Sequence, residues 1–150
     1  MAGAHLLELP NKIGLSRDDY LTVQQIYRGW ALLGIVVAGA LLSTLLLTFL
    51  LRHRRGQFRL ALAAFLCVVG AQVVFWTFTY PTNQETLNWT VLPPVWEPLR
   101  AHWEYSHAAG ALLNLAALIL LSLSVLAAIG ASGPGDKAAL YRFCPSTPRL

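Results

Sequence analysis

Residues 30–51 read WALLGIVVAGALLSTLLLTFLL and contain no Asp, Glu, Lys, Arg or His. A membrane hydrocarbon core about 30 Å thick is crossed by about 20 apolar residues in a helix, which satisfies its own backbone hydrogen bonds there. Residues 60–80 and 107–131 also lack Asp, Glu, Lys and Arg. The sequence therefore predicts an all-α integral membrane helix bundle with three spans in this chain.

The overall composition agrees with a membrane protein. Of the 150 residues, 56% are hydrophobic and 12% are charged, whereas soluble domains carry about 25% charged residues. The net charge of +4 does not indicate nucleic-acid binding, because the basic residues are not interleaved with aromatic residues in one patch. We expect residues 1–150 to form a single transmembrane bundle domain whose partner is the lipid bilayer, with no nucleic-acid partner.

The charges between the spans predict their orientation. Residues 52–59 contain four Arg and one His, and the positive-inside rule places such a loop in the cytoplasm. Residues 81–106 contain three Glu and one Arg, so we expect this loop outside. Residues 132–150, rich in Gly and Pro near their start, are expected to be a flexible cytoplasmic tail. The compact connections are typical of a bacterial protein, so we expect a multi-pass protein of the cell inner membrane.

The segment before the first span is expected to lie outside, although it has no apolar core long enough for a signal peptide. We therefore expect an additional helix upstream of the given chain, with residues 2–7 as its last turn. The whole would then be a four-helix bundle whose first helix is truncated here, and Met1 need not be the true start.

Two capping boxes predict helix starts in the outer segments, residues 5–29 and 81–106. In the first, Ser16 can accept a hydrogen bond from the backbone of Asp19, so a helix should start at Arg17 and continue without a break into the first span. The second, Thr82 to Glu85, predicts a short helix that ends near Val91.

Pro93 and Pro94 break the chain, and a last helix should begin near Val95. Residues spaced three and four apart form a polar stripe along it: Trp96, Arg100, Trp103, Glu104, His107, Ala111 and Asn114.

The stripe has two interpretations. In one, Glu104 contacts His107 and makes it a base, while Arg100 holds an oxyanion. In the other, Arg100 and Glu104 form an ordinary ion pair across one helical turn, and the imidazole simply lies at the membrane interface. Further down, Asn114 and Gln72 are expected to hydrogen-bond each other between spans, or else to line a cavity.

Metal and disulfide chemistry find no support in the sequence. Cys67 lies in an apolar run and Cys144 in the tail, so we predict neither a disulfide nor a zinc site. No metal ligand is assigned.

Four motifs lie at or beyond the outer ends of the spans: HLLELPNKI at 5–13, QQIYRGW at 24–30, PTN at 81–83 and RAHWEYSH at 100–107. Together they resemble the anthrone oxygenase-like family of small integral membrane proteins, over about residues 4–128. Members of this family look like four-helix bundles. A few oxidise an anthrone to an anthraquinone with dioxygen and without metal or organic cofactor, and most have no assigned activity. The family pattern has a basic residue three positions after the last His of the fourth motif, where this chain has Gly110.

The resemblance implies roles for individual residues. His107 would be the catalytic base, Glu104 its orienting partner and Arg100 an oxygen-holding group. No cofactor is expected. The residues expected to bind substrate are His5, Glu8, Tyr27, Asn83, Trp96, Trp103 and Asn114.

Two functions remain open from the sequence. The first is cofactor-independent oxidation of an anthrone-like or other phenolic lipophilic substrate with dioxygen, in a pocket at the outer face. The alternative is a non-catalytic membrane protein that binds a small lipophilic ligand or acts as an accessory subunit. The sequence does not predict an oligomeric state.

Overall fold

The computed structural model describes residues 2–131, which form an all-helical bundle. The predicted tail, including Cys144, lies outside the described residues. The α-helices in chain order are α1 Ala2–Lys12, α2 Arg17–Gln24, α3 Gly34–Leu50, α4 Arg55–Val74, α5 Tyr80–Glu85 and α6 Glu97–Ala131.

Three stretches in residues 2–131 are long and apolar enough to cross a membrane, namely Trp30–Leu50, Arg55–Glu85 and Glu97–Ile129. This confirms the predicted helical bundle with three candidate spans. The second and third are longer than predicted. One π-helical turn, Phe75–Thr79, joins α4 to α5 without a break. The last helix begins with Glu97 and Pro98, because proline in a first turn loses no intrahelical hydrogen bond.

The entry to the first span is partly as predicted. The Ser16 side chain accepts a hydrogen bond from the Asp19 backbone, and α2 begins at Arg17. The prediction that α2 runs unbroken into the span is wrong. A 3-10 turn follows α2, and Gly29 then takes a left-handed conformation with φ 86°. Glycine adopts this conformation without a side-chain clash, so α2 and α3 have independent directions.

The second predicted capping box is wrong. Thr82 lies inside α5, and its hydroxyl donates to the carbonyl of Phe78 instead of capping a new helix. The preceding helical turns already supply its backbone partners, so no helix start is needed. The helix ends at Glu85 rather than near Val91, because residues 87–89 all take the left-handed conformation, which does not continue an α-helix.

The first helix also differs from the prediction. Residues 2–7 are not its last turn, since α1 continues to Lys12 and includes Pro10. It packs against the first turns of α6. These turns lie at the end of the bundle opposite the Arg-rich turn of residues 51–54, because α3 and α4 are antiparallel and the Ser124 hydroxyl of α6 donates to the Gln57 carbonyl at 3.4 Å.

The spans pack through small side chains. Ala64 and Val68 of α4 are buried against Ala117 of α6, and such residues let helices approach closely in a membrane. The predicted hydrogen bond between Gln72 and Asn114 is wrong: Asn114 is exposed and donates to the carbonyl of Gly110 in its own helix. The sides of the spans that point away from the bundle expose large apolar residues, which lipid would cover: Ile35, Leu42, Leu46, Val73, Leu118 and Val125.

Candidate functional site

Three polar side chains of α1 face α6. His5, Glu8 and Lys12 are spaced three and four apart, which places them on one face of the helix. His5 and Lys12 are buried although both are polar. Buried charges need compensating partners. Glu8 Oε2 lies 3.6 Å from Lys12 Nζ, and α6 provides a second acidic group.

That group is Glu104. Lys12 Nζ lies 3.0 Å from Glu104 Oε1, and the two residues are 3% and 0% exposed. The Tyr20 hydroxyl of α2 donates to the same carboxylate oxygen at 2.9 Å. A buried ion pair therefore joins α1 to α6, and a hydrogen bond to the same carboxylate adds α2.

Further polar groups extend the contact. Lys12 Nζ donates to the Tyr27 hydroxyl at 3.1 Å, and this hydroxyl donates to Glu8. The Gln24 amide donates to the Tyr20 hydroxyl. We call this set, consisting of Glu8, Lys12, Tyr20, Gln24, Tyr27 and Glu104, the Lys12–Glu104 network.

Both tyrosines of the network remain protonated. Burial, and then the charge of Glu104, raise the pKa of Tyr20 far above its usual value. Burial, and then the hydrogen bond to Glu8, do the same for the pKa of Tyr27. Each hydroxyl therefore keeps its proton, and so remains a hydrogen-bond donor, across the physiological pH range.

Beside the network, two imidazoles contact each other. The ring centroids of His5 and His107 are 4.3 Å apart, and the ring of Trp103 lies 3.9 Å from that of His107. His107 Nδ1 lies 2.9 Å from the Trp103 carbonyl. A carbonyl only accepts, so Nδ1 carries the proton, and in the neutral ring the lone pair is on Nε2. Nε2 has no hydrogen-bond partner within residues 2–131.

The imidazole of His5 is neutral. Burial, followed by the charge of Lys12, lowers the pKa of His5 to about 4. Its Nδ1 is buried and has no partner among the residues that the structure describes. Aromatic rings of Tyr27, Trp30 and Trp103 surround it. The imidazole pair, His5 and His107, therefore lies among aromatic rings, and its His5 member is neutral.

The predicted contact between Glu104 and His107 is wrong. Glu104 Oε1 binds Lys12 and Tyr20, and its Oε2 has no hydrogen-bond partner within residues 2–131. The carboxylate turns to the buried ammonium because this cation has the greater need of compensation. A backbone carbonyl, not a carboxylate, thus sets the tautomer of His107.

Neither the predicted ion pair of Arg100 with Glu104 nor an open oxygen-binding guanidinium is found. Arg100 Nη1 donates to the Leu15 carbonyl at 2.8 Å, and the guanidinium lies 4.5 Å over the Trp96 ring. Trp96 is buried in an aromatic cluster that also contains Tyr20 and Trp103. These side chains fasten α6 to the segment between α1 and α2.

Two other predicted site residues have partners that the sequence did not indicate. Asn83 accepts a hydrogen bond from Trp103 Nε1 at 2.9 Å, so it supports the ring that stacks on His107. Asn114 lies on the exposed face of α6, apart from the imidazole pair. The structure thus brings together seven of the predicted site residues: His5, Glu8, Tyr27, Asn83, Trp103, Glu104 and His107.

Sequence reasoning missed Lys12, Tyr20 and Gln24. Lys12 had a detectable signal, because it continues the spacing of His5 and Glu8 on one helical face. Tyr20 and Gln24 had no sequence signal beyond their own spacing of four, since Glu104, to which Tyr20 donates, is distant in sequence.

Two surface depressions lie apart from the imidazole pair. One depression of about 290 Å³ lies between α2 and the 86–91 turn, at Leu21, Thr22, Gln25, Arg28 and Thr90. Another, of about 440 Å³, lies at the Arg-rich turn. Within residues 2–131, no group of three or more His, Cys, Asp or Glu side chains is arranged to hold a metal ion.

Comparison with protein-family models, with curated proteins and with solved structures finds no match for this chain.

Proposed function

We propose that this membrane protein oxidises an anthrone-like or other phenolic lipophilic substrate with dioxygen, without a cofactor, and that His107 is the base. The observation that carries the proposal is the hydrogen bond of His107 Nδ1 to the Trp103 carbonyl. It directs the free lone pair to Nε2, the atom able to take a proton.

The chemistry requires little more than a base. An anthrone has a methylene group between two aromatic rings and opposite a ketone, so loss of one proton gives a delocalised enolate. This carbanion adds dioxygen at the former methylene carbon, and the base returns its proton to give a hydroperoxide. Loss of water then forms the second carbonyl. One dioxygen is consumed and one water is released for each substrate oxidised to the quinone.

The surrounding side chains suit a flat apolar substrate. The rings of Tyr27, Trp30 and Trp103 lie about the imidazole pair, and aromatic surfaces stack on aromatic ligands. The Lys12–Glu104 network acts as positioning machinery, because it holds α1 against α6 and thereby keeps His5 beside His107. We expect a substrate dissolved in the bilayer to reach this end of the bundle from the membrane.

We place the protein in the inner membrane of a bacterial cell. The Arg-rich turn would lie in the cytoplasm and the imidazole pair at the outer face, as the positive-inside rule favours. The proposal rests on the four arginines in residues 52–59 and on their position at the opposite end of the bundle from α1.

The alternative is a non-catalytic protein that binds a lipophilic ligand or serves as an accessory subunit. One observation favours it: the rings of His5, Trp103 and His107 contact one another directly, and the two depressions described above lie elsewhere. Under this alternative, the imidazole pair only joins α1 to α6.

Oxygen uptake with product absorbance, measured on membranes containing the full chain and a panel of anthrones, distinguishes the two functions. We expect turnover by the wild type, loss of turnover in His107→Ala, and retention in His102→Ala, a matched control on the exposed side of α6. Absence of turnover in folded, membrane-inserted wild type, or equal activity of both variants, would favour the non-catalytic alternative.

A further inference from the structure

Within the described residues, the Arg-rich turn carries positive charge with no acidic residue beside it. It contains Arg52 and Arg54, and α4 adds Arg55 and Arg59. No acidic residue occurs in residues 48–60 or 118–129, the described segments at this end of the bundle. Arg52 donates to the Phe49 carbonyl and lies over the Phe49 ring. The other three guanidinium groups form no hydrogen bond or ion pair within residues 2–131, so they are free to bind an anion.

Two of these arginines line a depression. The cavity of about 440 Å³ is bounded by Arg54, Arg55, Gly56, Gln57 and Ala127, and its size falls within the roughly 300–1,000 Å³ of small-molecule sites. It lies at the start of α4, where the preceding residue provides no side-chain cap for the helix. The free backbone N–H groups and the helix dipole favour a negative group at this position.

A buried polar side chain points independently to a ligand. Gln57 lines the same depression and is 7% exposed, and its Oε1 atom has no hydrogen-bond partner among the described residues. A buried acceptor without a donor is costly. The ligand that completes this site therefore combines an anion with a hydrogen-bond donor.

The position of the depression identifies the source of such a ligand. It lies where two membrane-length helices, Arg55–Glu85 and Glu97–Ile129, meet at one end. In a bilayer, this end is at the level of the lipid headgroups. Basic pockets at helix ends attract anionic lipid headgroups.

We propose that this depression binds an anionic phospholipid with a hydroxyl-bearing headgroup, of the phosphatidylglycerol type. The phosphate interacts with Arg54, Arg55 and the amino end of α4. A headgroup hydroxyl donates to Gln57 Oε1. Phosphatidic acid offers the phosphate without the glycerol hydroxyls, and phosphatidylcholine offers neither net charge nor a donor.

Lipid titration of the full chain in detergent, followed by native mass spectrometry, tests the site. The probes are phosphatidylglycerol, phosphatidic acid and phosphatidylcholine with identical acyl chains, and water-soluble glycerophosphate as the free-phosphate source. We expect the order of affinity phosphatidylglycerol, then phosphatidic acid, then phosphatidylcholine, and no displacement by glycerophosphate at equal concentration. Displacement by glycerophosphate would overturn the assignment to a lipid.

Two matched double variants distinguish binding in the depression from nonspecific attraction to positive charge. Arg54→Gln/Arg55→Gln should weaken phosphatidylglycerol binding about 25-fold, given about a fivefold effect for each arginine near the headgroups. Arg52→Gln/Arg59→Gln removes the same charge from outside the depression. Its loss of phosphatidylglycerol affinity should be at least several-fold smaller. Equal losses in the two double variants would overturn the proposal.

A third variant tests the hydroxyl contact. Gln57→Leu should lower phosphatidylglycerol affinity about fivefold, as expected for one lost hydrogen bond, and leave phosphatidic acid affinity unchanged. If Gln57→Leu affects both lipids equally, the headgroup hydroxyl does not contact Gln57. Helical circular dichroism and a monodisperse elution profile are required of every variant.

Discussion

Lys12 and Glu104 form the contact on which the amino-terminal part of the fold depends. Their charged atoms are 3.0 Å apart and almost completely buried. A buried ion pair adds little net stability compared with apolar residues, but breaking it by removing one partner leaves a buried charge alone. The pair therefore specifies how α1 sits on α6 more than it stabilises the bundle.

Replacing one partner should lower the free energy of unfolding more than replacing both partners does. We expect Lys12→Met to lower the free energy of unfolding by about 3–5 kcal/mol, because the Glu104 carboxylate loses its cation. The double variant Lys12→Met/Glu104→Gln should recover most of this loss, since the Gln oxygen still accepts from Tyr20. Thermal unfolding in detergent measures both, with exposed Arg28→Met as the neutral control. A double variant less stable than Lys12→Met would contradict the account.

His5 gives the protein a defined pH dependence. Its pKa is lowered from 6.5 to about 4, first by burial and then by Lys12. The folded state therefore binds the proton less well than the unfolded state, so the stability contribution is complete above pH 6.5 and is lost as the pH falls toward 4. We expect the melting temperature of the wild type to fall across this window more steeply than that of His5→Gln. Equal pH slopes would show that His5 is not protonated on unfolding.

At the level of single elements, two similar sequence motifs have different outcomes. Ser16 caps α2 because the chain before it is not helical and the first N–H groups are free. Thr82 has the same type of motif, but α4 and the π-helical turn already continue through it. Local chemistry predicts a helix start only where the preceding helix has ended, and no residue before Pro81 signals such an end.

The turn after α5 stores backbone strain. Leu87, Asn88 and Trp89 have φ values of 48°, 56° and 62°, a conformation that costs L-residues about 1–2 kcal/mol each. Leu87 is 62% exposed, so its side chain contributes little packing. We expect Leu87→Gly to raise the melting temperature slightly, because relief of strain outweighs the roughly 0.5–1 kcal/mol entropic penalty of glycine.

The β-branched variant at the same position should act in the opposite direction. Leu87→Val keeps an apolar side chain but fits the left-handed conformation poorly. Its melting temperature should fall below that of the wild type. A stability of Leu87→Val equal to that of Leu87→Gly would mean that φ at this position does not limit stability.

At the level of the whole molecule, the three apolar helices could be predicted because each depends on its own composition. The side chains near His107 could be predicted in part, since the stripe on α6 and the face of α1 follow from helical spacing. The pairing of Lys12 with Glu104 could not, because it joins residues far apart in sequence. The predicted partners of Glu104 were wrong because helical spacing identifies neighbours within α6 only, whereas Lys12 lies on α1.

The orientation in the membrane has a direct test. In a background of Cys67→Ala and Cys144→Ser, single cysteines replace the exposed residues His53 and Thr90 at opposite ends of the bundle. We expect a membrane-impermeant maleimide to label Thr90→Cys in intact cells and His53→Cys only after the cells are opened. The reverse pattern would contradict the proposed orientation.

Proton abstraction by His107 is the central claim, and hydrogen exchange without oxygen tests it most directly. Under anaerobic conditions in D₂O, the full chain in membranes is mixed with an anthrone, and deuterium at the methylene carbon is measured by mass spectrometry. The account predicts that the wild type and His102→Ala accelerate exchange above the empty-membrane rate, whereas His107→Ala does not. Exchange at the empty-membrane rate with folded wild type, or undiminished exchange in His107→Ala, would contradict it.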